Sequence, residues 1–284
     1  MEIKKICVVG AGLMGRGIAH VGALGGFEIS LRDIKDDILK HAFSSIEKNL
    51  KKGVELGKIK EEEMTLGLSR ISLTTDLSEA AKDADLVIEA VPEIIELKIE
   101  VFQELDRLCP KHAILATNTS GLSITEIAFA TSRPDKVIGM HFFNPVHLMR
   151  LVEIVRGLET SDNTYKLAEE VAKKMGKETV EVNESPGFVT TRMNALIGNE
   201  AFYMLQEGVA TAENIDKAMK LGLNHPMGPL ELGDLVGLDT RLKVLEYLHK
   251  NFGEKYRPCP LLVKYVKAGR LGRKVGKGVY EYRE

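Results

Sequence analysis

Three features that this chain lacks narrow its class before any motif is considered. Its 284 residues contain only three cysteines, Cys7, Cys109 and Cys259, whose odd number and wide spacing fit neither a zinc site nor a disulfide framework. We therefore expect reduced thiols and no metal. The apolar runs are no longer than a strand and nothing after Met1 resembles a signal peptide, which favours a cytoplasmic protein without a membrane span. The net charge is only −2, from 39 basic and 41 acidic residues, so no nucleic-acid or polybasic membrane surface is expected.

The first two-thirds of the chain alternates short β-branched runs with helical patterns. With 44% hydrophobic residues the chain can bury a sizeable core. The strand-like runs are Ile3–Val9, Glu28–Arg32, Leu86–Val91, Ala113–Thr117, Lys136–Phe142, Leu151–Val155 and Glu178–Val182. The helix-like segments are Arg16–Leu24, Asp36–Lys52, Ile94–Leu108, Ser123–Ala130 and Thr164–Met175. Strands separated by helices predict an α/β fold with a mostly parallel sheet.

The pattern becomes almost entirely helical after Ser185-Pro186-Gly187. Proline cannot continue a strand and glycine frees the backbone to turn, so we predict two domains, 1–185 and an all-α domain 186–284. The predicted helices are Phe188–Gln206, Ala212–Leu221, Glu231–Leu248 and Leu261–Lys267. Their many apolar faces suggest a homodimer that buries them.

A glycine-rich turn follows the first strand. Gly10-Ala11-Gly12-Leu13-Met14-Gly15 has the spacing G-x-G-x-x-G between a strand and a helix. Gly10 would permit the tight turn, Gly12 the approach of a pyrophosphate, and Gly15 the close packing of helix on strand. The N–H groups at the start of the helix favour an anion. This motif predicts a Rossmann-type dinucleotide-binding domain.

An acid at the end of the second strand bears on which dinucleotide binds. The Asp33 carboxylate can accept hydrogen bonds from an adenosine ribose and would repel a 2′-phosphate, which favours NAD over NADP. Arg32 beside it could accommodate that phosphate, so NADP stays open.

A histidine and a glutamate are the candidate reacting residues. His141 ends the strand-like run Lys136–Phe142, and ligands of such sheets gather at the carboxyl ends of strands. Glu153 lies among Leu, Val and Ile, where an unpaired carboxylate is costly to bury. Pairing with His141 would satisfy the carboxylate and orient the imidazole, as in a catalytic histidine–carboxylate dyad.

Ser120 follows another strand, in Thr117-Asn118-Thr119-Ser120-Gly121. No general base adjoins it, so donation of a hydrogen bond to a substrate oxygen is the better role than nucleophile. Capping of the next helix by Ser120 or Ser123 is the alternative.

Taken as a set, the motifs resemble those of the 3-hydroxyacyl-CoA dehydrogenases over essentially the whole chain. They are Gly10-Ala11-Gly12-Leu13-Met14-Gly15, Asn118-Thr119-Ser120, His141-Phe142-Phe143-Asn144-Pro145, Leu151-Val152-Glu153, Ser185-Pro186-Gly187-Phe188, His225-Pro226-Met227-Gly228-Pro229 and Leu271-Gly272-Arg273-Lys274.

The resemblance implies hydride transfer between NAD(H) and a short-chain (S)-3-hydroxyacyl-CoA, such as 3-hydroxybutyryl-CoA, within butanoate and fatty acid metabolism. His141 would be the acid/base, Glu153 its orienting carboxylate, and Ser120 a substrate contact. The implied cofactor contacts are Gly10, Gly12, Leu13, Met14, Gly15, Asp33, Glu93, Lys98, Ser120, Asn144 and Lys274.

The chain departs from the family pattern at two places. The family commonly has asparagine where this chain has Thr191, so Thr191 or Asn194, one helical turn away, would bind the substrate oxygen. Asn49 stands in place of a serine that holds coenzyme A in the family. The family's lysine has no clean match: Lys52 and Lys58 lie near its position, either as coenzyme A contacts or as solvated surface lysines.

Two other functions stay open on the sequence. A β-hydroxyacid dehydrogenase of the 6-phosphogluconate type shares this domain order but uses a lysine on the helical domain, and here Arg192 is followed by no lysine before Lys217. A protein that binds NAD without turnover would not need the His141–Glu153 pair.

Overall fold

A computed structural model of the chain describes residues 2–282. The chain divides into two compact units, Met1–Ser185 and Pro186–Glu284. Residues 1, 283 and 284, at the outer ends of the two predicted domains, lie outside the described residues.

The first unit is built on one sheet that, within residues 2–282, has eight strands in the order β3-β2-β1-β4-β5-β6-β7-β8. The strands are β1 Lys5–Val9, β2 Glu28–Arg32, β3 Ile71–Thr74, β4 Leu86–Glu89, β5 Ile114–Thr117, β6 Val137–Phe142, β7 Leu151–Arg156 and β8 Glu178–Asn183. Neighbouring strands are parallel except for β6 and β7, which are antiparallel. The central strands β4, β5 and β6 are buried along their whole length, as expected of parallel strands covered on both faces.

Helices connect these strands. They are α1 Leu13–Leu24, α2 Asp36–Glu55, α3 Glu61–Ser69, α4 Leu77–Ala81, α5 Ile95–Leu108, α6 Ile124–Phe129 and α7 Asp162–Lys174. The carboxyl ends of β1, β4, β5 and β6 meet at one edge of the sheet, which carries Gly10, Glu89, Asn118 and His141.

The second unit is helical. Its helices are α8 Thr190–Glu207, α9 Ala212–Gly222, α10 Pro229–Val236, α11 Leu238–Phe252 and α12 Pro260–Lys267. Two buried aspartates organise it. Asp216 accepts hydrogen bonds from the first N–H groups of α10 (2.8 and 2.9 Å), and Asp234 accepts from the backbone of Val279 and Tyr280 (2.8 and 2.9 Å). Asp216 thus takes the place of the side-chain cap that α10 lacks. Asp234 fixes the C-terminal segment against α10.

The predicted α/β fold, a mostly parallel sheet followed by a helical unit, is confirmed. One predicted helix was wrong, and one stretch without any predicted element holds three. The expected helix Glu231–Leu248 is two helices, α10 and α11, because Gly237 between them takes a φ of 103° that a helix cannot contain. The sequence between Lys52 and Leu86 was assigned no element, yet it holds α3, β3 and α4. Strand β3 has only four residues at the sheet edge and none is fully buried, so its apolar pattern is weak.

Candidate active site

The glycine turn has the geometry of a dinucleotide cradle. Gly10 has a φ of +99°, which favours glycine. A Cβ on Gly15 would lie 1.7 Å from the carbonyl oxygen of Gly10, so only glycine lets α1 pack this close to the turn. A Cβ on Gly12 would meet nothing within 4 Å, so the turn faces open space there. Helix α1 has no side-chain cap, which leaves its first N–H groups for an anion. These features fit a bound pyrophosphate.

Asp33 is fixed beside this turn. Its Oδ2 accepts a hydrogen bond from the N–H of Ala11 (2.7 Å), and its Oδ1 accepts one from Ile34 (2.8 Å). Each carboxylate oxygen keeps a second lone pair, which suits the hydroxyls of a ribose. Arg32 Nε donates to the carbonyl of Thr75 (3.3 Å), so this guanidinium has a partner away from Asp33.

His141 and Glu153 face each other across β6 and β7. Only eight residues, 143–150, connect these strands, too few for a parallel crossover, so the strands pair antiparallel. The register sets His141 directly opposite Glu153. The predicted pairing is present: His141 Nδ1 and Glu153 Oε2 are 2.7 Å apart, and the residues are 6% and 0% exposed. An ionised carboxylate only accepts hydrogen bonds, so Nδ1 carries the proton and Nε2 is the nitrogen that can exchange one with a ligand.

Two neighbours hold the histidine end of β6. The side-chain oxygen of Asn118 accepts a hydrogen bond from the backbone of Phe142 (2.9 Å), and the backbone of Asn118 donates to Glu89 (2.8 Å). The ring of Phe143 lies against that of His141, with centroids 4.4 Å apart. The ring of His141 is therefore set by Glu153, Asn118 and Phe143 together.

Ser120 lies on an ordered turn after β5. Its N–H donates to Glu93 Oε1 (2.8 Å), which also accepts from Thr119 Oγ1 (2.5 Å). Ser120 itself is exposed. The cap of α6 is Ser123, whose side chain accepts from Glu126, so the alternative of a cap at Ser120 was wrong.

Behind Glu93 lies a buried ion pair that the sequence reasoning missed. Lys98, 1% exposed, contacts Glu89 Oε1 at 2.7 Å and Glu93 Oε2 at 3.4 Å. Glu89 also accepts hydrogen bonds from Thr117 (2.7 Å) and Val91 (2.6 Å). Burial raises the pKa of the Glu89 carboxyl, and Lys98 opposes this effect. The sequence did contain a signal for this ion pair. Glu89 lies at the end of an apolar strand, where a buried carboxylate needs a partner, as Glu153 does within another apolar strand.

The other predicted site residues are spread over both units. Asn49 and Lys52 are exposed on α2, and Asn144 is exposed in the connection after β6. Thr191 and Asn194 lie in the first two turns of α8, in the second unit. In the same unit, Lys274 Nζ contacts both carboxylate oxygens of Asp239, at 2.6 and 2.7 Å.

No group of three or more His, Cys, Asp or Glu side chains within residues 2–282 could hold a metal ion. Over the same range no helix is both long and apolar enough to cross a membrane.

The glycine cradle and the anchored Asp33 define the first unit as a Rossmann-type nucleotide-binding domain, and this domain carries the buried His141–Glu153 pair. Comparison with known proteins narrows this class. Residues 5–185 match the family model of the 3-hydroxyacyl-CoA dehydrogenase NAD binding domain, and residues 187–282 match the model of the C-terminal domain.

Similar proteins extend over the full chain. A protein of Bacillus subtilis named "Probable 3-hydroxybutyryl-CoA dehydrogenase" is 53% identical over 285 residues, covering 100% of this chain and 99% of that protein. A 3-hydroxybutyryl-CoA dehydrogenase of Bradyrhizobium diazoefficiens is 49% identical, with coverage of 99% and 96%. The crystal structure of (S)-3-hydroxybutyryl-CoA dehydrogenase from Ralstonia eutropha superposes with a TM-score of 0.96 at 44% identity and covers 100% of both chains. The chain belongs to the 3-hydroxyacyl-CoA dehydrogenase family, whose members are NAD-dependent oxidoreductases.

Proposed function

We propose that this enzyme interconverts (S)-3-hydroxyacyl-CoA and 3-oxoacyl-CoA with NAD(H), and that its substrates are short, 3-hydroxybutyryl-CoA and acetoacetyl-CoA. The observation that carries the proposal is the 2.7 Å contact between His141 and the fully buried Glu153. The names of the similar proteins support the chain length.

In the oxidative direction His141 Nε2 accepts the proton of the substrate 3-hydroxyl group. The imidazole becomes a cation, and the Glu153 carboxylate at Nδ1 stabilises it. NAD, held by the glycine turn and Asp33, would accept the hydride from C3 of the substrate. In the reductive direction the His141 imidazolium returns the proton to the 3-oxo group.

The substrate oxygen needs hydrogen-bond donors as its charge develops. We assign this role to the hydroxyl of Ser120, whose turn is fixed by Glu93. Lys98 contacts Glu93 from inside the fold and is itself buried. We therefore propose that Lys98 acts on the cofactor indirectly, by positioning Glu93, and does not contact the cofactor itself.

A dimer of this chain is the second part of the proposal. Large apolar side chains of the second unit are exposed in the single chain, which suggests that a second copy covers them. They are Val189, Met193, Val209, Leu221, Leu223, Leu235, Val236 and Val275. Light scattering after gel filtration should give twice the monomer mass.

We also infer that the enzyme acts in the cytoplasm, which fits its three buried free thiols. The short-chain substrates proposed above would place it in butanoate metabolism.

One assay tests the reaction. Initial rates of NADH and NADPH oxidation would be measured with 3-oxoacyl-CoA substrates from four to ten carbons and with free 3-oxo acids. We expect the highest kcat/KM for NADH with acetoacetyl-CoA. A flat chain-length profile would contradict the short-chain assignment. Turnover of the free acid alone would favour the β-hydroxyacid dehydrogenase, and NADH binding without any oxidation would favour a non-catalytic protein.

A further inference from the structure

The last residue but one of the first unit is a carboxylate that reaches the start of helix α6. Glu184 follows strand β8, and its backbone N–H donates to the carbonyl of Arg156 at the end of β7 (2.9 Å). Its side chain is half-buried and lies against Ser123 and Thr125. The reaction proposed above does not use Glu184, so these contacts need an explanation of their own.

Both oxygens of the Glu184 carboxylate accept hydrogen bonds. Oε1 accepts from the hydroxyl of Ser123, the residue that caps α6. Oε2 accepts from the N–H of Thr125 (2.8 Å) and from the Thr125 hydroxyl. Hydrogen bonds to a carboxylate are among the stronger ones in proteins. One side chain therefore fixes the first turn of α6 to the end of β8.

The turn that follows β7 is tied to the same place. The N–H of Leu158 donates to the Thr125 hydroxyl (2.9 Å). A Cβ on Gly157 would lie 3.3 Å from the backbone nitrogen of Thr125, so this turn rests directly on the start of α6. Strand β7 also carries Glu153, directly opposite His141 on β6. The start of α6 is thus held to the strands that carry and flank the acid/base pair.

The segment between β5 and α6 is held at both of its ends. We call residues 118–122 the Ser120 turn. At one end Glu93 accepts hydrogen bonds from the N–H of Ser120 (2.8 Å) and the hydroxyl of Thr119 (2.5 Å). At the other end Glu184 accepts from Ser123. A short turn anchored by two carboxylates keeps its exposed side chain in one place relative to the sheet.

We propose that Glu184 is a positioning residue that sets the place of the Ser120 hydroxyl relative to His141. The proposal rests on the function given above, in which Ser120 donates to the substrate oxygen and His141 exchanges its proton. Both groups act on one oxygen atom, so an error in their separation lowers the rate. Glu184 acts through the start of α6 and not on the substrate.

Removal of the carboxylate tests the proposal through the rate. Glu184→Ala should lower kcat for acetoacetyl-CoA reduction about 10- to 100-fold, because a displacement of about 1 Å at a reacting group costs up to about 10²-fold. The KM for NADH should not change, because the glycine turn and Asp33 are intact. Glu126→Ala is the matched control. It removes an exposed carboxylate from the first turn of the same helix and should keep wild-type kcat.

A double-mutant cycle shows whether Glu184 acts through Ser120. In the Ser120→Ala background Glu184→Ala should lower kcat by less than about twofold more, because the group that it positions is gone. An equal loss in both backgrounds would overturn the proposal and leave Glu184 a structural residue, and so would an unchanged kcat in Glu184→Ala alone.

Circular dichroism melting checks that the Glu184→Ala variant folds. If it does not, Glu184→Gln keeps the shape of the side chain and one acceptor oxygen. This variant should lower kcat about three- to tenfold, and the loss should again disappear when Ser120 is alanine. A loss that persists in that background would contradict the proposal.

Amide hydrogen exchange needs no turnover and separates failure of this proposal from failure of the proposed function. Glu184→Ala should speed the exchange of the Ser120 N–H about tenfold or more, whereas Glu126→Ala should not. If the wild-type protein does not reduce acetoacetyl-CoA, the proposed function fails, and faster exchange at Ser120 still supports Glu184 as the residue that holds the Ser120 turn. Unchanged exchange at Ser120 would overturn the proposal even in an active enzyme.

Discussion

Replacement of Glu153 by glutamine isolates the charge of the acid/base pair. The side chain is fully buried and lies 2.7 Å from His141 Nδ1. Glutamine has the same shape and can still accept the Nδ1 hydrogen, so the fold and the ring position should survive. What is lost is the negative charge that stabilises the His141 cation as the substrate proton arrives.

The expected loss of rate follows from electrostatics. Two unit charges about 4 Å apart interact by about 4 kcal/mol at an effective dielectric constant of about 20. Each lost increment of about 1.4 kcal/mol slows the reaction tenfold, which sets a limit near 10³-fold. The amide retains part of the interaction as a neutral hydrogen bond. We therefore expect Glu153→Gln to lower kcat by about 10²- to 10³-fold.

The assay is the oxidation of NADH by saturating acetoacetyl-CoA, followed by absorbance. Glu181→Gln is the matched control, because Glu181 on β8 is an exposed carboxylate that pairs with Arg156 at 3.1 Å. The control should keep wild-type kcat, and NADH affinity should be unchanged in both variants. A kcat of Glu153→Gln within fivefold of wild type would refute the electrostatic role of the carboxylate.

Three further predictions concern the cofactor, a buried ion pair and pH. Asp33→Ala should raise the KM for NADH about 10- to 100-fold, because one charged hydrogen bond is lost. The preference of the enzyme for NADH over NADPH, measured by initial rates, should become smaller. An unchanged KM for NADH would show that Asp33 does not contact the ribose. Lys98→Met leaves the Glu89 carboxylate buried without its cation and should cost about 3–5 kcal/mol of unfolding free energy in urea denaturation; a loss under about 1 kcal/mol would contradict this. Burial, His147 and Lys177 lower the pKa of His20 from 6.5 to about 4 in the folded state, so the unfolded chain takes up the proton first as pH falls. Stability should therefore be intact above pH 6.5 and decline by about 3 kcal/mol towards pH 4, and His20→Gln should remove that part of the decline.

Features of the site could be predicted from the sequence where the position admits only one explanation for the residue type found there. The glycine spacing predicted the cradle because Gly10 and Gly15 occupy places where a Cβ meets backbone. Glu153 was predictable as the partner of His141 because an acid within an apolar strand needs a partner. The eight-residue connection explains why that partner lies directly opposite in register.

Other features depend on contacts and backbone conformations that the apolar pattern of the sequence does not show. The family resemblance implies a cofactor contact for Lys98, and the sequence alone does not show that Lys98 is buried against Glu89. The sequence left open whether Ser120 or Ser123 caps α6, and in the structure Ser123 is the cap, because its side chain accepts a hydrogen bond from the backbone of Glu126. The break at Gly237 was hidden because the apolar pattern continues on either side of it.

The most direct test of the proton transfer is the turnover of His141→Ala. We expect kcat for acetoacetyl-CoA reduction to fall by about 10²- to 10⁴-fold, the usual contribution of a positioned acid or base. NADH binding, followed by its fluorescence, should keep the wild-type affinity because the glycine turn and Asp33 are intact. Turnover near the wild-type rate in this variant would contradict the role of His141 and with it the mechanism proposed for this site.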